Sequence, residues 1–145
     1  MPVESSAGRP APLEYTVVAM TTTNLLAGWV GMLGGVLAGA IAGLFFHRDD
    51  WLGGYGSHRR RLVRLGHISF FGLGFLNLLF ALTAAPLRLA GTAVAIASPA
   101  LLAGAATMPA CCYLAAWRKP LRHLFPIPVL AVLTGVLAIL WGGAR

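Results

Sequence analysis

The chain has 145 residues, 58% of them hydrophobic and only 10% charged, where a soluble domain carries about a quarter charged residues. That is too little polar surface for a free-standing soluble globule, and the length suits one compact domain of a few membrane-crossing helices. The net charge of +7 does not point to nucleic acid, because the basic residues cluster between apolar runs instead of spreading over a soluble face.

Residues 1–24 read as an extracytoplasmic N-terminal tail with Pro2, Pro10 and Pro12, extended by a short helix through Tyr15 to Met20. The rest, 25–145, reads as a four-helix membrane domain with helices at about 25–46, 62–82, 99–117 and 124–141. Each run is near the length that crosses a hydrocarbon core of ~30 Å. In lipid the backbone must bond within each segment, so these runs are helices and not open strands. The first, Leu25 to Phe46, carries Ala40-Ile41-Ala42, which looks like a signal-peptide cleavage site. Its basic residues follow the run instead of preceding it, so it is expected to stay as a permanent anchor.

In the first helix Gly31, Gly35, Gly39 and Gly43 recur every four residues after Ala27. Small residues at this spacing let two backbones approach closely. The partner is either another helix of the same chain or a second subunit. The basic loop that follows holds Arg59, Arg60, Arg61 and Arg64, a cluster suited to anionic lipid head groups. In the second helix Asn77 lies at the depth of Thr134 in the fourth, so the two are expected to share a hydrogen bond. The third run is longer than one crossing requires. Ser98-Pro99 has the form of a helix start, with Ser as cap and Pro at the first position, which leaves Pro86 to Ala97 near the surface. A single helix running through Pro99 and Pro109 is the alternative.

Eight of the eleven basic residues fall between helices one and two or between three and four: Arg48, Arg59, Arg60, Arg61, Arg64, Arg118, Lys119 and Arg122. The other side has Arg9, Arg88 and Arg145. The positive-inside rule places both basic loops in the cytoplasm and both termini outside. The expected fold is therefore an all-α polytopic integral membrane protein, a four-helix transmembrane bundle in the cell membrane, of the bacterial inner-membrane kind. Aromatic belts of Trp51, Tyr55, Tyr113 and Trp117 on the inner side, and Trp29 and Trp141 on the outer, agree with that orientation.

Chemistry is sparse. The four runs contain no Asp or Glu, which speaks against proton-coupled transport. Size and helix count resemble the small multidrug exporters, but their first-helix glutamate has no counterpart in Leu25–Phe46. Disulfide-handling membrane enzymes need paired outer cysteines, whereas Cys111 and Cys112 are placed near the inner side. All four histidines also fall on the inner side. His67, His123 and His47 are candidate ligands for haem or a quinone, and Cys111, Cys112 and Met108 are candidates for a soft metal. His67 is the best placed, one turn into its helix, with His123 opposite. Arg64 and Arg122 beside the histidines favour haem propionates or an anionic ligand over a bare cation. No catalytic residues are assigned. Three functional classes follow: a non-catalytic subunit or assembly partner, as a homo-oligomer or with other membrane subunits; a haem- or quinone-binding protein; and a channel-like or uniport transporter.

Overall fold

A computed structural model describes residues 12–144; Arg9, Arg145 and the tail before Pro12 lie outside them. Among the described residues the regular structure is all helical: α1 (Pro12–Leu44), α2 (His58–Thr83), α3 (Gly91–Trp117) and α4 (Pro126–Gly143). Short 3-10 turns lie at Trp51–Gly53 and Lys119–Leu124. Four helical segments are long and apolar enough to cross a membrane.

Three boundaries differ from the expected ones, each for a local reason. α1 reaches back to Pro12 because Val17 and Met20 pack against a cluster of Phe80, Ala84, Leu89, Val94, Ala97 and Leu101. The helix therefore covers half of the expected tail and is about 50 Å long at 1.5 Å per residue. α2 starts at His58 because Ser57, in extended backbone, accepts a bond from the Arg60 N–H at 3.1 Å. α3 starts at Gly91 and runs through both Pro99 and Pro109. Ser98 does not cap it; its hydroxyl donates to Asn24 Oδ1 on α1. The chain instead turns between Ala84 and Ala90, where the Leu89 N–H donates to Ala84 O at 3.0 Å and Arg88 takes a left-handed φ of 49°.

Successive helices are antiparallel, as the close approaches show. Gly28 faces Leu78 and Gly74, Gly31 faces Gly74 and Phe70, Gly35 faces Phe71, and Gly39 faces His67. Along the other pair, Gly104 faces Val132, Leu101 faces Gly135, and Ala93 faces Gly142. α1, α2 and α3 contact one another, while α4 packs along α3. α2 and α4 do not form a facing pair, which corrects the expectation that His67 and His123 oppose each other. The antiparallel order brings the loops at 45–57 and 118–125 to one end, and with them the eight clustered basic residues.

The glycine stripe of α1 is occupied by the chain's own α2. A Cβ at Gly31 would lie 3.1 Å from Gly74 Cα and from Phe70 O, both backbone atoms, whereas a Cβ at Gly43 meets nothing within 4 Å. The helix repeat explains the difference. At 3.6 residues per turn a step of four overshoots by about 40°, so by Gly43 the stripe has rotated about 120° from Gly31. A step of seven falls short by only about 20°. The buried small residues Gly28, Gly35 and Ala42 follow that spacing, as do Pro128, Gly135 and Gly142 on α4.

Three polar side chains are buried where α1, α2 and α3 meet. Asn24 and Asn77 are 0% exposed and Ser98 is 3% exposed. Asn24 Nδ2 donates to Asn77 Oδ1 at 2.7 Å and to Ser98 O at 3.4 Å. Asn77 Nδ2 donates to Leu73 O at 2.8 Å and to Leu101 O at 3.4 Å. With the Ser98 hydroxyl on Asn24 Oδ1, every side-chain donor and each amide oxygen has a partner. Thr134, the expected partner of Asn77, is exposed on α4.

Replacing Gly31 with Leu should push α1 off α2 and lower stability by about 1–3 kcal/mol, the usual cost of overpacking. Gly43→Leu should change it by less than about 0.5 kcal/mol, as for an open surface position. Unfolding midpoints in detergent micelles measure both; equal losses would contradict the assigned seam.

Candidate functional site: the basic end of the bundle

The loop from Phe45 to Ser57 folds back over the start of α2. Phe45 and Trp51 stack with centroids 5.5 Å apart. Leu52 takes a left-handed φ of 56° before Gly53 and Gly54, and its carbonyl accepts from Ser57 Oγ at 2.7 Å. The loop thereby arranges three aromatic rings around one guanidinium. Arg60 Cζ lies 5.6 Å from the Phe46 ring, 5.6 Å from the Trp51 ring and 5.2 Å from the Tyr55 ring. Arg64 covers Tyr55 at 4.6 Å. A planar, weakly hydrated guanidinium suits such stacking, and desolvation strengthens it.

Arg60 is 3% exposed, which removes it from the expected lipid-facing set. Its Nη1 donates to Arg48 O at 3.5 Å and its Nε has no hydrogen-bond partner. Arg59 and Arg61 are exposed and Arg64 is half-buried, so these three remain at the surface of the basic end.

The candidate ligands gather toward the basic end of the bundle but differ in depth and face different neighbours. His67 lies opposite Gly39, while His47 and His123 lie beyond the ends of α1 and α3. His67 is half-buried against α1 over Gly39, where a Cβ would come within 2.5 Å of its Cε1. It meets Phe71 edge to face at 5.4 Å, and its Nδ1 is buried without a hydrogen-bond partner. Cys112 is buried against Gly66 on α2, while Cys111 Sγ approaches Leu124 O at 3.8 Å on the opposite flank of α3. Met108 is half-buried, and His47 and His123 are exposed. Among the described residues no group of three or more His, Cys, Asp or Glu could hold a metal ion.

Two cavities open at this end. One, of about 410 Å³, lies between α2, α3 and the Trp51–Gly53 turn and is lined by Leu52, Arg59, Val63, Tyr113, Ala116 and Trp117. The other, of about 300 Å³, is formed by Lys119, Pro120, Arg122 and His123 within their own turn. His67 lines neither, so the imidazole with the unpartnered nitrogen and the available space are separate. The Arg60 cage and the larger cavity are features that sequence reading does not anticipate. The signal for the cage is present, in Phe46, Trp51 and Tyr55 before a run of Arg, but it also fits an interfacial belt.

Arg60→Ala should free the Phe45–Ser57 loop and lower stability by about 2 kcal/mol, the size of a desolvated cation–π contact. Arg60→Lys should recover only part, since the planar stack is lost. Limited tryptic cleavage within the loop reports the release; unchanged cleavage in Arg60→Ala would show that the cage does not hold it.

Compared with protein-family models, with curated proteins and with solved structures, the chain matches none.

Proposed function

We propose that this chain is a multi-pass membrane protein that acts as a non-catalytic small subunit or assembly partner, either as a homo-oligomer or beside other membrane subunits. The observation that carries this reading is the use to which its buried polar groups are put. Asn24, Asn77 and Ser98 bond one another and the Leu73 and Leu101 carbonyls, and so tie three helices together. Polar side chains that serve transport or cofactor chemistry inside a membrane line a cavity or a pathway instead. The outer faces of α1 and α4 offer Val30, Leu33, Leu37, Leu133, Leu137 and Leu140, all well exposed, to lipid and to a partner.

The orientation in this proposal follows from charge. With eight of the eleven basic residues at one end, that end is cytoplasmic and both termini are outside. The haem or quinone reading has one observation in its favour, the unpartnered Nδ1 of His67. Against it, His47 and His123 are exposed, and the imidazole is wedged on Gly39 and Phe71. A paired-histidine haem does not fit that arrangement.

Topology is tested with single cysteines. Gly56→Cys, at an exposed position with open space around it, should react with an impermeant maleimide only after the membrane is opened, and Ser5→Cys should react in intact cells. The reverse pattern would refute the orientation. For the subunit role, gentle extraction and mass measurement should give a particle heavier than the 15.2 kDa chain after correction for detergent and lipid. A lone monomer would count against it, and solute flux through liposomes holding the pure protein would favour a transporter.

A further inference from the structure

The larger cavity at the basic end has the makeup of a lipid site. Leu52, Val63 and Ala116 give it apolar walls, Tyr113 and Trp117 add two aromatic rings, and Arg59 is its one charged group. No carboxylate lines it. It lies beside the first two turns of α2 and the last two of α3, where two helices of membrane-crossing length reach their basic ends. Trp117, in the last turn of α3, is 83% exposed, as expected of an indole at head-group level.

The charge that lines the cavity is of one sign, and the two acids of the neighbouring loop, Asp49 and Asp50, precede the Trp51–Gly53 turn and are exposed. Arg59, Arg60, Arg61 and Arg64 occupy two turns of α2, and Arg60 is buried without a carboxylate partner among the described residues. A volume of about 410 Å³ is within the usual range of about 300–1,000 Å³ for small-molecule sites. Neither His nor Cys lines it, so it offers no axial ligand for haem. Walls that are largely apolar suit the glycerol and upper acyl region of an amphiphile better than a free inorganic anion.

We propose that this cavity binds one anionic glycerophospholipid of the surrounding leaflet, with the phosphate on Arg59 and the acyl region between Val63, Tyr113 and Trp117. The inference rests on the membrane-spanning reading of the four helices. Retention of the protein in membranes washed at alkaline pH tests that reading separately.

The experiment is native mass spectrometry of the full chain in mild detergent, with phosphatidylglycerol and phosphatidylcholine of identical acyl chains in equal amounts. Wild type should retain one phosphatidylglycerol in preference to phosphatidylcholine. Arg59→Gln should reduce that preference about fivefold, the equivalent of ~1 kcal/mol for one basic residue near the surface. Arg48→Gln removes the same charge at the same end but outside the cavity, and should leave the preference unchanged. Val63→Trp, which fills the cavity from a half-buried position, should abolish retention while circular dichroism shows the helices intact. Equal retention of the two lipids by wild type would overturn the proposal. So would equal losses in Arg59→Gln and Arg48→Gln, which would mean diffuse surface charge. Displacement of the lipid by glycerophosphoglycerol, the head group without acyl chains, at equal concentration would identify a phosphate site instead and would also overturn it.

Discussion

A side-chain amide shut away from solvent has two N–H donors and a carbonyl oxygen to satisfy, and in an apolar surrounding each unmet group is costly. Asn24 and Asn77, both fully buried, meet this demand only if α1, α2 and α3 take one register. Asn24 must reach Asn77 Oδ1 and the Ser98 carbonyl together, and Asn77 must reach the Leu101 carbonyl on α3 while still holding Leu73 on its own helix. Sliding any of the three helices by a turn would break several of these bonds at once. Packing between apolar helices in lipid has no hydrophobic drive to choose among registers, and this polar junction makes the choice.

Glycine allows the helices to come close enough for the junction to close. Gly28 and Gly31 on α1 face Gly74 on α2, and there the two backbones are in direct contact, with Asn77 one turn further along α2. On the other side of α3 the same device recurs. Gly104, Gly135 and Gly142 take Val132, Leu101 and Ala93 into their empty positions. α4 therefore packs along one flank of α3 through these close fits, while α1, α2 and α3 also share the polar junction. At the basic end a different interaction does the fixing, since Arg60 inside its aromatic ring set holds the loop against α2.

The four helices are legible in the sequence because an apolar run near twenty residues long has one backbone solution in lipid. Their ends are less so. Ser98-Pro99 carries a sound start signal, yet Ser98 is drawn into the junction and the helix begins at Gly91. The partner of Asn77 is not legible either: the apolar run begins at Leu25, which leaves Asn24 in the expected tail, and only the extension of α1 back to Pro12 carries it to Asn77. A different limit applies to His67, Cys111 and Cys112. Sequence places them at one level along the bundle but leaves the angle around each helix open. One residue of helix turns a side chain by about 100°, which is why Gly66 faces Cys112 and Tyr113 while His67 faces α1. Charge clustering, by contrast, depends only on which loop a residue occupies, and the gathering of basic residues at one end needed no side-chain detail.

The central claim is that the buried polar junction couples α1 to α2, and a double-mutant cycle between Asn24 and Asn77 tests it most directly. The cycle compares Asn24→Ala, Asn77→Ala and the double variant by their unfolding free energies in mixed micelles. Side-chain hydrogen bonds between membrane helices average about 0.6 kcal/mol by this method and reach about 1.7. A bond at 2.7 Å between two fully buried amides should fall in the upper half of that span, with the double variant losing less than the sum of the two single ones. Additive losses, with no coupling energy, would show that the two asparagines do not act on each other and that the register of the bundle is set elsewhere.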